Sequence, residues 1–239
     1  MSDTAAVVVR TTESRRLDAF VDAAFAFAVT LLLIAGAEPL TTIEGLQAAL
    51  LQIPASAGSF ALVAVFWSAH RSYGRLAPAR DTVSTLLSLA IVFAVLVYVF
   101  PLRMLVSSAF FYMSGGRLPG SAMIQSLADL RTLYVIYGIG FALLSLLFVL
   151  LFRHTAKVGD RLGATPEGRA DAADAAAAWG ICGVSGLASA LVAVVGPMRL
   201  TPYLPGLCYW LIPFAIWGRY ALIRRSARRR AAPTAAETS

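Results

Sequence analysis

Arg16-Leu17-Asp18-Ala19-Phe20-Val21-Asp22-Ala23-Ala24-Phe25-Ala26-Phe27-Ala28-Val29-Thr30-Leu31-Leu32 places two acids at the head of a long apolar run. A helix crosses a bilayer core in about 20 mostly apolar residues, and this run has that character. Ionisable residues in such a segment are costly and are a functional-site hypothesis by default. Asp18 and Asp22 stand four apart and share one helix face. Arg15 and Arg16 lie one turn earlier, placed to pair with them. The plainer reading is a structural ion pair tying this end of the helix to its neighbours. Further along, Phe27, Thr30, Leu31 and Ile34 recur at helical spacing and form one stripe. On an arbitrary membrane helix such a stripe is a packing seam. Thr30, its polar member, can bond back to a carbonyl one turn earlier at little cost.

The rest of the 239 residues places this run in context. Hydrophobic residues make up 59% and charged residues 14%, where a soluble domain carries about 25% charge. A soluble chain of this size cannot hide that much apolar surface. The composition excludes a soluble enzyme, a disordered chain and a simple nucleic-acid-binding domain. Six apolar segments are expected to span: 17–36, 46–68, 82–106, 130–152, 175–195 and 203–223. The fold class is therefore all-α, a polytopic membrane protein. Residues 1–15 form an N-terminal segment, 16–224 the transmembrane domain, and 225–239 a basic tail. The longest connection is expected at 154–174.

The basic residues set the direction of the spans. Arg10, Arg15, Arg16, Arg71, Arg75, Arg80, Arg153, Lys157, Arg161, Arg169, Arg219, Arg224, Arg225, Arg228, Arg229 and Arg230 flank one side. Only Arg103, Arg117, Arg131 and Arg199 are assigned to the other. Sixteen against four predicts both termini in the cytoplasm of a multi-pass inner-membrane protein. The net charge of +7 is thus spread between spans, and no nucleic-acid partner is expected. The tail arginines fit anionic headgroups or a stop-transfer flank. A secretory leader would use Arg15 and Arg16, an apolar core at 23–34 and a cleavage site at Ala35-Gly36-Ala37. The two aspartates at the core entrance, and the five spans left behind, argue against it.

Other residues have ordinary readings. Trp67, in Phe66-Trp67-Ser68-Ala69-His70-Arg71, suits an interfacial anchor, and His70 an exposed loop. Gly180, Gly183, Gly186 and Ala190 make a small-residue packing face. Pro213 interrupts the sixth span. Cys182 and Cys208 lie in apolar runs and read as small hydrophobes. The sequence lacks G-x-S-x-G, H-E-x-x-H and G-x-x-x-x-G-K patterns. Its two histidines, His70 and His154, cannot build a multi-histidine metal site, and no cofactor is implied.

The opening stretch resembles the first helix of the transmembrane protein 175 family, which includes the lysosomal potassium channel and bacterial relatives. The family motif is Arg-x-x-x-Phe-Ser-Asp followed by an apolar run containing Thr-Leu-Leu. Arg16, Phe20 and Asp22 match it, and Val21 replaces the serine. Trp67 and His70 resemble a Trp-x-x-His at the end of helix two. Asp81 resembles an acid that opens helix three, and Phe100-Pro101 resembles a Phe-Pro near that helix's outer end. The resemblance implies a passive potassium or other monovalent-cation channel: a homotetramer of six-helix subunits in the lipid bilayer, with helix one lining a central pore. It places an apolar constriction at Phe27 and a potassium-favouring hydroxyl at Thr30. Leu31 and Ile34 continue the pore face. It assigns Arg16, Phe20, Asp22, Trp67, His70 and Asp81 to a network clamping helices one to three. Phe27 is bulkier than the family's usual Ile or Leu, which leaves a non-conducting or structural relative as the alternative, with a secondary transporter as the other.

Overall fold

The computed structural model describes residues 12–34 and 41–231, with 219–231 described as helix backbone only. The expected Ala35-Gly36-Ala37 site, Arg10, the end of the first span beyond Ile34 and the tail from 232 lie outside the described residues. So do the side chains of the arginines from Arg219 onward. Seven α-helices follow in order: α1 (Thr12–Ile34), α2 (Ile43–Leu51), α3 (Ile53–Leu76), α4 (Thr82–Met113), α5 (Leu127–Val158), α6 (Pro166–Val195) and α7 (Leu204–Ala231). Five helices are long and apolar enough to cross a membrane: α1, α3, α4, α5 with the turn that follows it, and α6. The described apolar part of α7, Leu204–Gly218, is shorter.

Two expectations are corrected. The second span is not 46–68. Gln52 ends α2 and starts α3, with Pro54 in the first turn of α3. Proline lacks an N–H and suits a helix start, where that donor has no partner anyway. The apolar crossing is therefore Ile53–Leu76, and α2 buries none of its residues. The stretch 154–174 is not a loop. α5 runs to Val158, a 3-10 turn covers Gly159–Leu162, and Gly163 takes the left-handed φ of 74° that closes it. Thr165 then caps α6 by accepting from the Gly168 N–H, with Pro166 following. That cap starts α6 nine residues before the apolar run begins at 175.

Packing centres on α5 and α6, the most extensive helix pair, with α4 against α5 and α7 against α6. α1 rests on α3 and α4. Phe66 of α3, 2% exposed, is the hub of the core. Its ring lies 5.9–6.4 Å from Tyr98, Phe141, Phe148 and Trp179, and Phe148 stacks on Trp179 at 4.4 Å. The small-residue face of α6 does part of what was expected. A Cβ on Gly138 would sit 2.5 Å from the Gly186 carbonyl, and one on Gly186 would sit 2.8 Å from the Gly138 carbonyl. These helices touch backbone to backbone, which only glycine allows. Gly183 faces Ser145, whereas nothing lies within 4 Å of a Cβ on Gly180. Cys182 and Cys208 are free thiols.

Two arginines counted on the outer side, both inside expected spans, bind the ends of other helices. Arg103 lies inside α4, 7% exposed, and donates to the Leu32 carbonyl. Arg131, in α5, donates to the Gly196 carbonyl that ends α6. Each guanidinium meets the C-terminal turn of another helix, where carbonyls lack partners and the helix dipole is negative.

The glycine contact yields a direct test. Gly138→Ala should lower the thermal unfolding midpoint of detergent-solubilised protein, because overpacking a tight contact costs about 1–3 kcal/mol. Gly180→Ala, with open space around it, should leave the midpoint unchanged or slightly raised. Equal effects of the two would contradict the backbone contact.

Candidate functional site

α1 has two faces. Ser14, Val21, Phe25, Ala28 and Leu32 are buried against α3 and α4. On the other side Phe20, Phe27 and Ile34 are 54%, 55% and 63% exposed, with Thr30 also exposed. Leu31 is half-buried at the edge of this stripe and packs on the core. The Thr30 hydroxyl donates to the Ala26 carbonyl at 3.2 Å. Its proton is thereby spent, and its lone pairs remain on the exposed face.

The acids of α1 meet polar partners on other helices. The Trp67 indole N–H donates to Asp22 at 2.8 Å. Arg80, its side chain 4% exposed, donates to Asp18 at 2.9 Å. The same guanidinium donates to the Ala77 carbonyl just past α3 and lies 4.5 Å from the Tyr73 ring centre. Asp22 thus takes an indole partner on α3 and Asp18 a cation from the α3–α4 connection. Arg16 and Phe20 are exposed, and among the described residues neither has a hydrogen bond or ring contact within this cluster. Val21, where the family motif has serine, is fully buried among apolar side chains.

His70 is not the exposed loop residue expected from its sequence position. It is 4% exposed inside α3, and its Nε2 lies 3.0 Å from the Ser88 hydroxyl on α4. Asp81 caps α4: it accepts from the Ser84 N–H, and the Ser84 hydroxyl lies 2.9 Å from the Asp81 N–H. Its other oxygen meets His154 of α5 at 2.7 Å. Partial burial pushes the Asp81 carboxyl up, but its bonds with Ser84 and His154 outweigh that and hold it below the usual 3.8. The structure therefore brings Asp18, Asp22, Trp67, His70 and Asp81 to one end of the bundle. Sequence reading missed Arg80, Ser88 and His154. Arg80 had a signal, being an arginine beside the acid that opens α4. Ser88 and His154 had none, since their partners are distant in the chain.

With this geometry in view, the chain can be set against known proteins. The family described as "Endosomal/lysosomal potassium channel TMEM175" matches residues 16–101. A protein of Marivirga tractuosa named "Potassium channel" is 28% identical over 214 residues, covering 85% of each chain. A crystal structure of a threonine-to-alanine variant of the potassium channel MtTMEM175, bound to a nanobody–MBP fusion, superposes with a TM-score of 0.74. It is 26% identical and covers 88% of this chain and 93% of that one. The chain is thus similar to TMEM175 potassium channels in sequence over residues 16–101 and in fold over most of its length. A TMEM175 homologue from Chamaesiphon minutus shares the fold at a TM-score of 0.58, with 22% identity over 87% of this chain and 98% of that one. These relatives are named as potassium channels, and this chain shares with them an all-helical fold, with five helices long and apolar enough to cross a membrane.

Two tests follow from the cluster. Asp22→Ala should strand the Trp67 indole and cost about 1 kcal/mol of stability, lowering the yield of folded, assembled protein in detergent. Asp22→Asn, which keeps an acceptor, should recover most of it. A well-assembled Asp22→Ala protein with altered ion preference would show that Asp22 acts on permeation instead. Asp81→Ala should cost about 1 kcal/mol at neutral pH through loss of the cap. Because folding holds the Asp81 carboxyl below 3.8, its stabilisation is present above that pH and is lost as pH falls through the folded value. Unfolding midpoints of the two proteins should converge at the acid end of a pH series. A constant gap would mean that the cap does not depend on the carboxylate charge.

Proposed function

We propose that this protein is a passive cation channel of the bacterial inner membrane, favouring potassium, in which α1 from four copies lines a central pore. The observation that carries the reading is the two-faced α1. One face is buried and held by charge, while the other presents Phe27, Thr30 and Ile34 away from its own subunit. The relatives named above are potassium channels. Phe27 would form the narrowest ring, a hydrophobic constriction that gates by dewetting. The Thr30 oxygens, their protons turned to Ala26, would offer acceptors to a partly dehydrated cation. Leu31 and Ile34 would continue the wall. Arg16 and Phe20 would join the α1–α4 network only where subunits meet.

In this reading residues 16–224 form a six-span domain, flanked by cytoplasmic segments at 1–15 and 225–239. The part of α7 that falls in the sixth span, residues 204–223, rises about 30 Å at 1.5 Å per residue, the thickness of a bilayer core. The charge asymmetry supports cytoplasmic termini.

The bulk of Phe27 favours a second reading, a relative whose pore stays closed. Potassium flux into liposomes separates the two. Phe27→Ala should raise flux and weaken discrimination against sodium, because a smaller apolar ring is easier to wet. Thr30→Val should lower potassium preference without opening the pore. Val29→Ala, away from the stripe, should change little. A Phe27→Ala tetramer with flux at the empty-liposome level would sink the pore assignment and leave the non-conducting reading.

A further inference from the structure

Arg103 is the one charged residue in the 32 residues of α4. It is 7% exposed, and the pore network described above does not include it. Its Nη1 donates to the Leu32 carbonyl at 3.0 Å and to the Ser56 hydroxyl at 2.9 Å. One nitrogen, with two N–H bonds, thus joins the last turn of α1 to the first turn of α3. Leu32 lies between Thr30 and Ile34 in the chain, on the buried side of the same turn.

We infer that Arg103 is a positioning residue for permeation: its guanidinium latches the outer end of α1 in one rotational setting, so that Thr30 and Ile34 face the pathway. This rests on the channel reading above. The reason is geometric. Apolar contacts in a bilayer tolerate sliding and rotation, since lipid is as apolar as the facing helix. A hydrogen bond to one named carbonyl does not. A one-residue slip of α1 would carry the Leu32 carbonyl about 1.5 Å along the axis and about 100° around it, out of reach of the guanidinium. The opposite end of α1 is held by Asp18–Arg80 and Asp22–Trp67. Arg103 is the matching attachment at the outer end. It also places a cation against a helix C-terminus, where the dipole favours it.

The test uses full-length protein in liposomes, with Arg103→Met, Ser56→Ala, their double variant and Ser108→Ala as a control. Ser108 is buried on α4 but bonds within its own helix, to the Met104 carbonyl. Two readouts are taken: the potassium-to-sodium permeability ratio, and amide hydrogen exchange of a peptide covering 28–34. Arg103→Met should change the permeability ratio at least threefold and speed exchange in 28–34 at least tenfold. Ser56→Ala should move both in the same direction by less, and the double variant should match Arg103→Met. Ser108→Ala should move neither. If Arg103→Met fails to fold, Ser56→Ala carries the test alone, because it removes one of the two bonds and no charge. Faster exchange with an unchanged permeability ratio would make the latch purely structural and overturn the inference, as would unchanged exchange. Absence of flux from both the wild-type protein and Phe27→Ala would instead overturn the channel reading and the positioning role together, whatever the exchange data show.

Discussion

A charge or polar group placed in hydrocarbon has to find a partner inside the protein, and the whole arrangement of α1 follows from that demand. Asp18 and Asp22 cannot be solvated by lipid. They recruit Arg80 and the Trp67 indole, which come from the α3–α4 connection and from α3. At the other end Arg103 spends two N–H bonds on α1 and α3. Between these attachments the contact face of α1 is small and apolar, with Val21, Ala28 and Leu32 fully buried. Polar contacts therefore set where α1 sits, and apolar ones fill the space.

The far side of the molecule obeys a different rule. α5 and α6 have few charges to pair in their cores, and they approach through glycine instead. Reciprocal contacts of Gly138 and Gly186 with each other's carbonyls let the helix axes come close. Dispersion then works over a long interface, which is what drives helix association in lipid. The aromatic cluster around Phe66 ties this rigid pair to α3 and α4. A stiff half built from α5 and α6 supports a half built from α1, α3 and α4, where the polar groups lie. The stripe of α1 that carries Phe27, Thr30 and Ile34 is left exposed on the outside of the helix bundle.

Arginine has two distinct uses in this chain. Positive charge in connecting segments directs the spans, and such residues can be counted from composition alone. Arg80, Arg103 and Arg131 do something else, since each donates to a carbonyl at or just beyond the C-terminal end of a helix. The planar, permanently charged fork suits that task better than lysine. A chain with 19 arginines and one lysine can draw on one residue type for both purposes.

Much of this was legible before any coordinates. Composition required a membrane protein, and apolar runs of about 20 residues required that it cross as helices. The spacing of Phe27, Thr30 and Ile34 required that they share a face, and the motif at Arg16, Phe20 and Asp22 carried the likeness to TMEM175 channels. Local chemistry also determined caps that were overlooked: Thr165-Pro166 starts α6, and Gln52 with Pro54 divides α2 from α3. Partnership across the fold was decided only by tertiary structure. Asp22 is 45 residues from Trp67, Asp18 is 62 from Arg80, and Arg103 is 71 from Leu32. Arg103, near the end of an expected span, was counted only as an outer flanking charge, because burial depends on which helices come to surround a side chain. His70 became a buried bridge to Ser88 for the same reason. Periodicity determines which residues share a face; only packing decides which face turns inward, since that is settled by the polar partners waiting on the neighbouring helices.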